Sequence, residues 1–127
     1  FDMDIEKVDD SFALALVRAM IAAANSDGHV DEEERSRIAD RLSVAGMAED
    51  AKAFIDAELQ NPTSLQDIVA TAQTDAQKVE LYTASRLAID PDLRAERGYL
   101  DLLAGRLGLP DALIDHIEAT VSGASAK

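Results

Sequence analysis

A chain of 127 residues, 47% hydrophobic and 29% charged, can bury one sizeable core and is too apolar to remain disordered. With 12 Lys and Arg against 25 Asp and Glu, its formal charge of −13 attracts cations and disfavours nucleic acid and anionic lipid, both of which need clustered basic side chains. The absence of cysteine excludes disulfides, thiolate zinc sites and a thiol nucleophile.

Residues 1–10 read as an acidic lead. Phe12, Leu16, Ala19, Met20 and Ala23 then recur at helical spacing, with Asp10 or Ser11 placed to cap a first helix that runs to about Ala24. A polar turn follows, and Asp31 with Glu32, Glu33 and Glu34 supplies the carboxylates that favour a helix N-terminus. Ile38 and Leu42 mark the second helix and Gly46 ends it. A third helix, about Ala48 to Leu59, turns Ala51, Phe54, Ile55 and Leu59 inward and stops at Asn61-Pro62.

Thr63 or Ser64 starts a short fourth helix with Leu65, Ile68 and Val69 as its apolar face. Thr74 and Gln77 form the capping-box pattern of a fifth, about Asp75 to Ala88, in which Val79, Tyr82 and Leu87 are expected to face inward. After Asp90-Pro91-Asp92, a sixth helix carries Leu93, Tyr99, Leu100, Leu103 and Leu107 and is stopped by Gly108. Pro110 suits the first turn of a seventh, whose inward residues are Leu113, Ile114 and Ile117. It is expected to end near Val121, leaving 122–127 as a flexible tail. The fold class is therefore all-α, a single-domain bundle of about seven helices spanning residues 11–121. The two tyrosines are expected in the core with exposed hydroxyls.

Sliding the chain by 62 positions brings Glu34 onto Glu96, Ile38 onto Leu100, Gly46 onto Gly108 and Ile55 onto Ile117. Two helix-turn-helix units are thus related by an approximate repeat. Each is introduced by an acidic turn, one around Asp27 and the other at Asp90-Pro91-Asp92.

The first acidic turn has the pattern of a calcium loop. With Glu34 at the twelfth position, Asn25, Asp27, Gly28, Val30 and Asp31 fall at positions three, five, six, eight and nine, but the first position is Ala23, which has no ligand oxygen. An isolated loop so depleted binds weakly, so binding should depend on both turns. Asp27-Gly28 and the run to Glu34 would also serve as ordinary turn and helix-start chemistry without any metal. His29 falls at the seventh position, where the backbone carbonyl rather than the ring would ligate. His116 has no motif around it and is read as structural. Arg35, Arg37, Arg41, Arg94 and Arg97 follow the acidic turns and are expected to screen them through near neighbours on the helix surface. No phosphate loop, nucleophile elbow or nucleotide fingerprint is present, and no catalysis is expected.

The stretches Ala24-Asn-Ser-Asp-Gly-His-Val-Asp-Glu-Glu-Glu34 and Ala88-Ile-Asp-Pro-Asp-Leu-Arg-Ala-Glu-Arg-Gly-Tyr-Leu-Asp-Leu-Leu-Ala104 resemble TerB-like domains associated with tellurite resistance, and more closely the YebE-type bacterial family. That resemblance, which covers about Phe12 to Val121, implies a non-enzymatic helical bundle with an acidic divalent-cation site. Its residues carry over as Asp27, Asp31 and Glu34 from the first turn and Asp90, Asp92 and Glu96 from the second. All are hard oxygen donors, which favour calcium, magnesium or manganese over zinc or copper.

The resemblance also implies an apolar N-terminal part that contacts the inner membrane from the cytoplasmic side. The apolar run Phe12 to Val17 is far shorter than the roughly 20 residues of a membrane span, so no direct membrane contact is expected of this chain. It opens on Phe1 rather than Met, and a longer tethered parent is expected. The expected role is a cation-responsive module in envelope or metal stress, acting through an unidentified protein partner, with homo-oligomerisation left open. The alternative is a metal-independent interaction scaffold whose acidic face meets a basic protein.

Overall fold

The long first helix ends where three small residues, Ala22, Ala23 and Ala24, give way to a polar turn, and it forms the axis of the bundle. The computed structural model describes the backbone of residues 2–89 and 94–125 and the side chains of residues 12–89 and 94–121. Helix α1 covers Asp2–Ala24, α2 Glu32–Val44, α3 Ala51–Gln60, α4 Leu65–Ala70, α5 Asp75–Ala88, α6 Arg94–Leu107 and α7 Asp111–Ser125, with one 3₁₀ turn at Asn25–Asp27. No strand occurs among the described residues, and the all-α, seven-helix architecture is the one expected.

Helix α1 buries Ala15, Leu16, Val17, Ala19, Met20, Ile21, Ala23 and Ala24, which is nearly its whole circumference rather than a single stripe. A helix apolar on most sides must be surrounded. It packs most extensively against α5 and also meets α2, α3, α4 and α6. The remaining core comes from Ile38 and Leu42, Ile55, Ile68, Leu81 and Tyr82, Leu100, Leu103 and Leu107, and Ile117. Arg18 on α1 reaches α3, lying over the Phe54 ring at 5.4 Å with its Nε 3.4 Å from Glu58 Oε1.

Three expectations change. Helix α1 starts at Asp2 instead of at a cap at Asp10 or Ser11. Nothing in residues 2–10 breaks a helix, and acidic residues near an N-terminus favour its dipole, so the helix extends through the supposed lead. Helix α7 likewise runs on to Ser125, because a single glycine at 123 costs only about 1 kcal/mol and no proline follows. Leu87 is 51% exposed rather than inward. The buried positions of α5 are Leu81, Tyr82, Ser85 and Ala88, and a residue five beyond Tyr82 lies well round the helix from that face.

The repeat is visible in the backbone. Gly46 and Gly108 both have positive φ, 84° and 70°, the left-handed conformation that ends many helices. The Gly46 N–H donates to Ser43 O at 3.0 Å and the Met47 N–H to Leu42 O at 2.8 Å. Sixty-two residues on, the Gly108 N–H donates to Gly105 O at 3.2 Å and the Leu109 N–H to Ala104 O at 3.1 Å. The same two-bond helix stop thus closes α2 and α6, and the next helix in each half buries an isoleucine, Ile55 or Ile117.

Candidate functional site

The first acidic turn is held by its own hydrogen bonds. Gly28, at φ 85°, reverses the chain after the 3₁₀ turn, and Asp27 Oδ1 accepts from the His29 N–H at 3.0 Å. Asp31 then caps α2. Its Oδ1 accepts from the Glu34 N–H at 2.8 Å, while Glu34 Oε1 accepts from the Asp31 N–H at 3.0 Å. This reciprocal capping box satisfies two of the donors left over at a helix start. It also occupies one oxygen each of Asp31 and Glu34, the residues that an intact calcium loop would turn onto the ion.

Glu34 and Glu96 are the buried acids among the described side chains, 7% and 4% exposed. They occupy matching positions in the first turns of α2 and α6, and the 3₁₀ turn of the first half packs against α6. Their carboxyls meet and hydrogen bond. Burial, the bond to Glu34 and the nearby negative charges of Glu34, Asp27 and Asp31 together push the Glu96 carboxyl up to about 7 from an ordinary 4.5. A second carboxyl placed beside Glu96 disfavours its charged form.

Of the six residues expected at a cation site, Asp27, Asp31 and Glu34 of the first half therefore fall within electrostatic reach of Glu96 in the second. Asp90 and Asp92 lie outside the described residues. Among the described residues no group of three or more His, Cys, Asp or Glu is gathered closely enough to form a ready-made metal cluster. The arrangement is a buried pair of acids with two exposed aspartates beside it. Sequence reasoning named both members of the pair but did not single them out as its centre.

The surrounding arginines divide their roles. Arg37 makes the near-neighbour pair expected on a helix surface, its Nη2 3.2 Å from Glu33 Oε1, and it also donates from Nη1 to Ala88 O at 3.2 Å. Arg35 instead crosses to α3 and binds Asp56, and this guanidinium, together with Lys52, holds the Asp56 carboxyl below the usual carboxylate range. Arg97, at the matching position of the second half, is exposed, while Glu118 on α7 is bonded by Tyr82 Oη at 2.9 Å and Arg86 Nε at 2.8 Å.

His29 and His116 are exposed, on the first turn and on α7. The tyrosines take the core positions expected, Tyr82 within the core and Tyr99 packed against it, but their hydroxyls are not exposed. Tyr82 is 3% exposed, and burial and its bond to Glu118 drive its phenol upward. The Tyr99 hydroxyl is buried with no hydrogen-bond partner among the described residues, and burial pushes it up to about 12. Neither reaches solvent as an exposed hydroxyl would, because the rings sit too deep between helices. No helix among the described residues is long and apolar enough to cross a membrane.

The chain belongs to the family described as Protein of unknown function (DUF533), whose model matches residues 3–121. It is 33% identical over 106 residues to the Yersinia enterocolitica protein named "Uncharacterized protein in ampR 5'region", an alignment that covers 84% of this chain and 76% of that protein. No solved structure matches it significantly.

Proposed function

We propose that this chain is a non-enzymatic helical module that takes up a hard divalent cation between its two halves, at Glu34 and Glu96 with Asp27 and Asp31 as neighbours. One observation carries the reading: Glu34 and Glu96, both buried residues, bring their carboxyls together from the first turns of α2 and α6. A divalent cation would offset both charges at once, where a shared proton offsets one. The donor chemistry fits, since every group is a carboxylate oxygen. With one oxygen each of Asp31 and Glu34 engaged by the cap, the protein supplies few ligands and water must complete the shell. That favours magnesium or manganese, which retain several waters, over calcium, which seeks six to eight oxygens.

The site is weak, in the roughly 10⁻⁴ to 10⁻³ M class of ligand-poor oxygen sites. Occupancy would pin α2 to α6 and so report cation level through the rigidity of the bundle. In the envelope or metal-stress setting implied by the TerB-like and YebE-type resemblance, a protein partner would read that state.

Calorimetric titration and thermal melts at pH 8 with magnesium, manganese or calcium provide the test. Millimolar cation should raise the melting temperature of the parent chain, and the Glu34→Gln, Glu96→Gln double variant should lose that response. No heat and no thermal shift at millimolar cation would remove the reading.

A further inference from the structure

We infer that the cleft between α5, α6 and α7 takes a small apolar amino acid as its zwitterion, with the ligand carboxylate on Arg97 and its ammonium on Asp101. The cleft has a volume of about 200 Å³ and is lined by Tyr82 of α5, Arg97, Leu100 and Asp101 of α6 and Glu118 of α7. Pockets for drug-sized ligands run to roughly 300–1,000 Å³, so this one suits a metabolite of few atoms.

The repeat supplies an internal comparison. In the first half Arg35 of α2 crosses to α3 and binds Asp56. Sixty-two positions on, the same two places hold Arg97 on α6 and Glu118 on α7. There the bond is not made. Glu118 Oε2 accepts from Tyr82 Oη at 2.9 Å and its Oε1 from Arg86 Nε at 2.8 Å, so both of its oxygens are engaged by α5. Arg97 lines the cleft with no ion pair among the described residues.

Helix α6 also carries an acid that α2 lacks, since Asp101 stands where the first half has Ala39. Arg97 is four positions earlier, a spacing at which opposite charges on a helix can meet. Asp101 nonetheless makes no ion pair among the described residues, and its charge acts instead on Tyr82, whose phenol it helps push up. One helical turn of α6 thus presents a cation and an anion to the same cleft, and Leu100 and the Tyr82 ring add apolar surface.

These charges select the class of ligand. A simple anion would meet the carboxylates of Asp101 and Glu118 as well as Arg97, in a chain whose formal charge is already −13. A simple cation would be repelled by the Arg97 guanidinium and leave it without a counter-charge. A ligand with carboxylate and ammonium on one carbon answers both groups, and the planar fork of Arg97 matches the carboxylate.

The test is titration of the isotopically labelled chain with L-leucine, following backbone amide and arginine side-chain resonances. Two analogues each keep half of the zwitterion, 4-methylpentanoate without the ammonium and 3-methylbutylamine without the carboxylate. Leucine should shift the Arg97 side chain and the amides of residues 97–101 saturably, and each analogue should bind about tenfold or more weakly, as the loss of a charge-assisted bond requires. In Arg97→Gln leucine should bind no better than the amine, and in Asp101→Asn no better than the carboxylate. Arg35→Gln, at the matching place of the first half, should bind leucine as the parent does. The absence of a saturable shift with leucine, valine and alanine alike overturns the inference, as does equal binding of leucine and both analogues.

Discussion

Glu34 and Glu96, 62 positions apart in the chain, meet as a hydrogen-bonded pair of carboxyl groups in the interior between the two halves. The folded Glu96 carboxyl titrates near 7, above its ordinary value of 4.5. An acid whose folded value is raised adds stability that is fully present below the unfolded value and is lost as pH rises through the folded one. Without metal, the chain should therefore lose stability between about pH 4.5 and 7. Thermal melts in chelator across that range should show the fall, and Glu96→Gln should flatten it. A parent chain whose melting temperature rises or stays level over the same range would contradict the pairing.

Asp31 has two roles that substitutions can separate. Its Oδ1 caps α2 by accepting the Glu34 N–H, and its charge adds to the field at Glu96. Asparagine caps about as well as aspartate, so Asp31→Asn should leave the melting temperature in chelator nearly unchanged while reducing the shift produced by manganese. Asp31→Ala should lose the cap as well, at about 1 kcal/mol. Equal manganese shifts in Asp31→Asn and the parent would confine Asp31 to the helix start.

Local signals marked the helix ends at Gly46, Thr74 and Gly108, though not the start of α1 or the end of α7. Thr74 and Gln77 form the capping box read from their spacing, and Gly46 and Gly108 stop their helices. These are short-range effects, complete within four or five residues. The repeat was legible for the same reason, since Glu34 and Glu96 hold equivalent places in equivalent motifs. What spacing could not supply was the approach of the two motifs, which depends on the packing of α1 along α5. Nor could it show that Glu118 is engaged by Tyr82 and Arg86 while its counterpart Asp56 binds Arg35. Leu87 was misplaced because it stands five residues beyond Tyr82, well round the helix from the buried face of α5.

The two tyrosines should respond oppositely to loss of their hydroxyls. Tyr82 donates to Glu118, so Tyr82→Phe leaves a half-buried carboxylate with one bond fewer and should cost about 1 kcal/mol. The Tyr99 hydroxyl is buried without a partner among the described residues, a situation that itself costs about 1–3 kcal/mol. Tyr99→Phe should thus be neutral or stabilising. Chemical denaturation of the two variants side by side checks the contrast, and a clear loss in Tyr99→Phe would mean that its hydroxyl is satisfied in solution.

The paired helix stops provide a test of the repeat that does not involve the acids. Gly46 and Gly108 adopt φ of 84° and 70°, where a side chain is strained, yet a Cβ at either would meet no atom within 4 Å. The cost of Gly→Ala should therefore come from the backbone alone, about 1 kcal/mol at each site, and should be similar at the two positions. Gly98 and Gly105 also have open space around a Cβ but lie inside α6 without positive φ. There alanine should stabilise by roughly 0.5–1 kcal/mol, through its better helix propensity. Urea denaturation of the four single variants measures all of these changes. Opposite signs for the stop and interior glycines would tie the two stops to their left-handed geometry, whereas a stabilising Gly46→Ala or Gly108→Ala would refute that conformation at the site concerned.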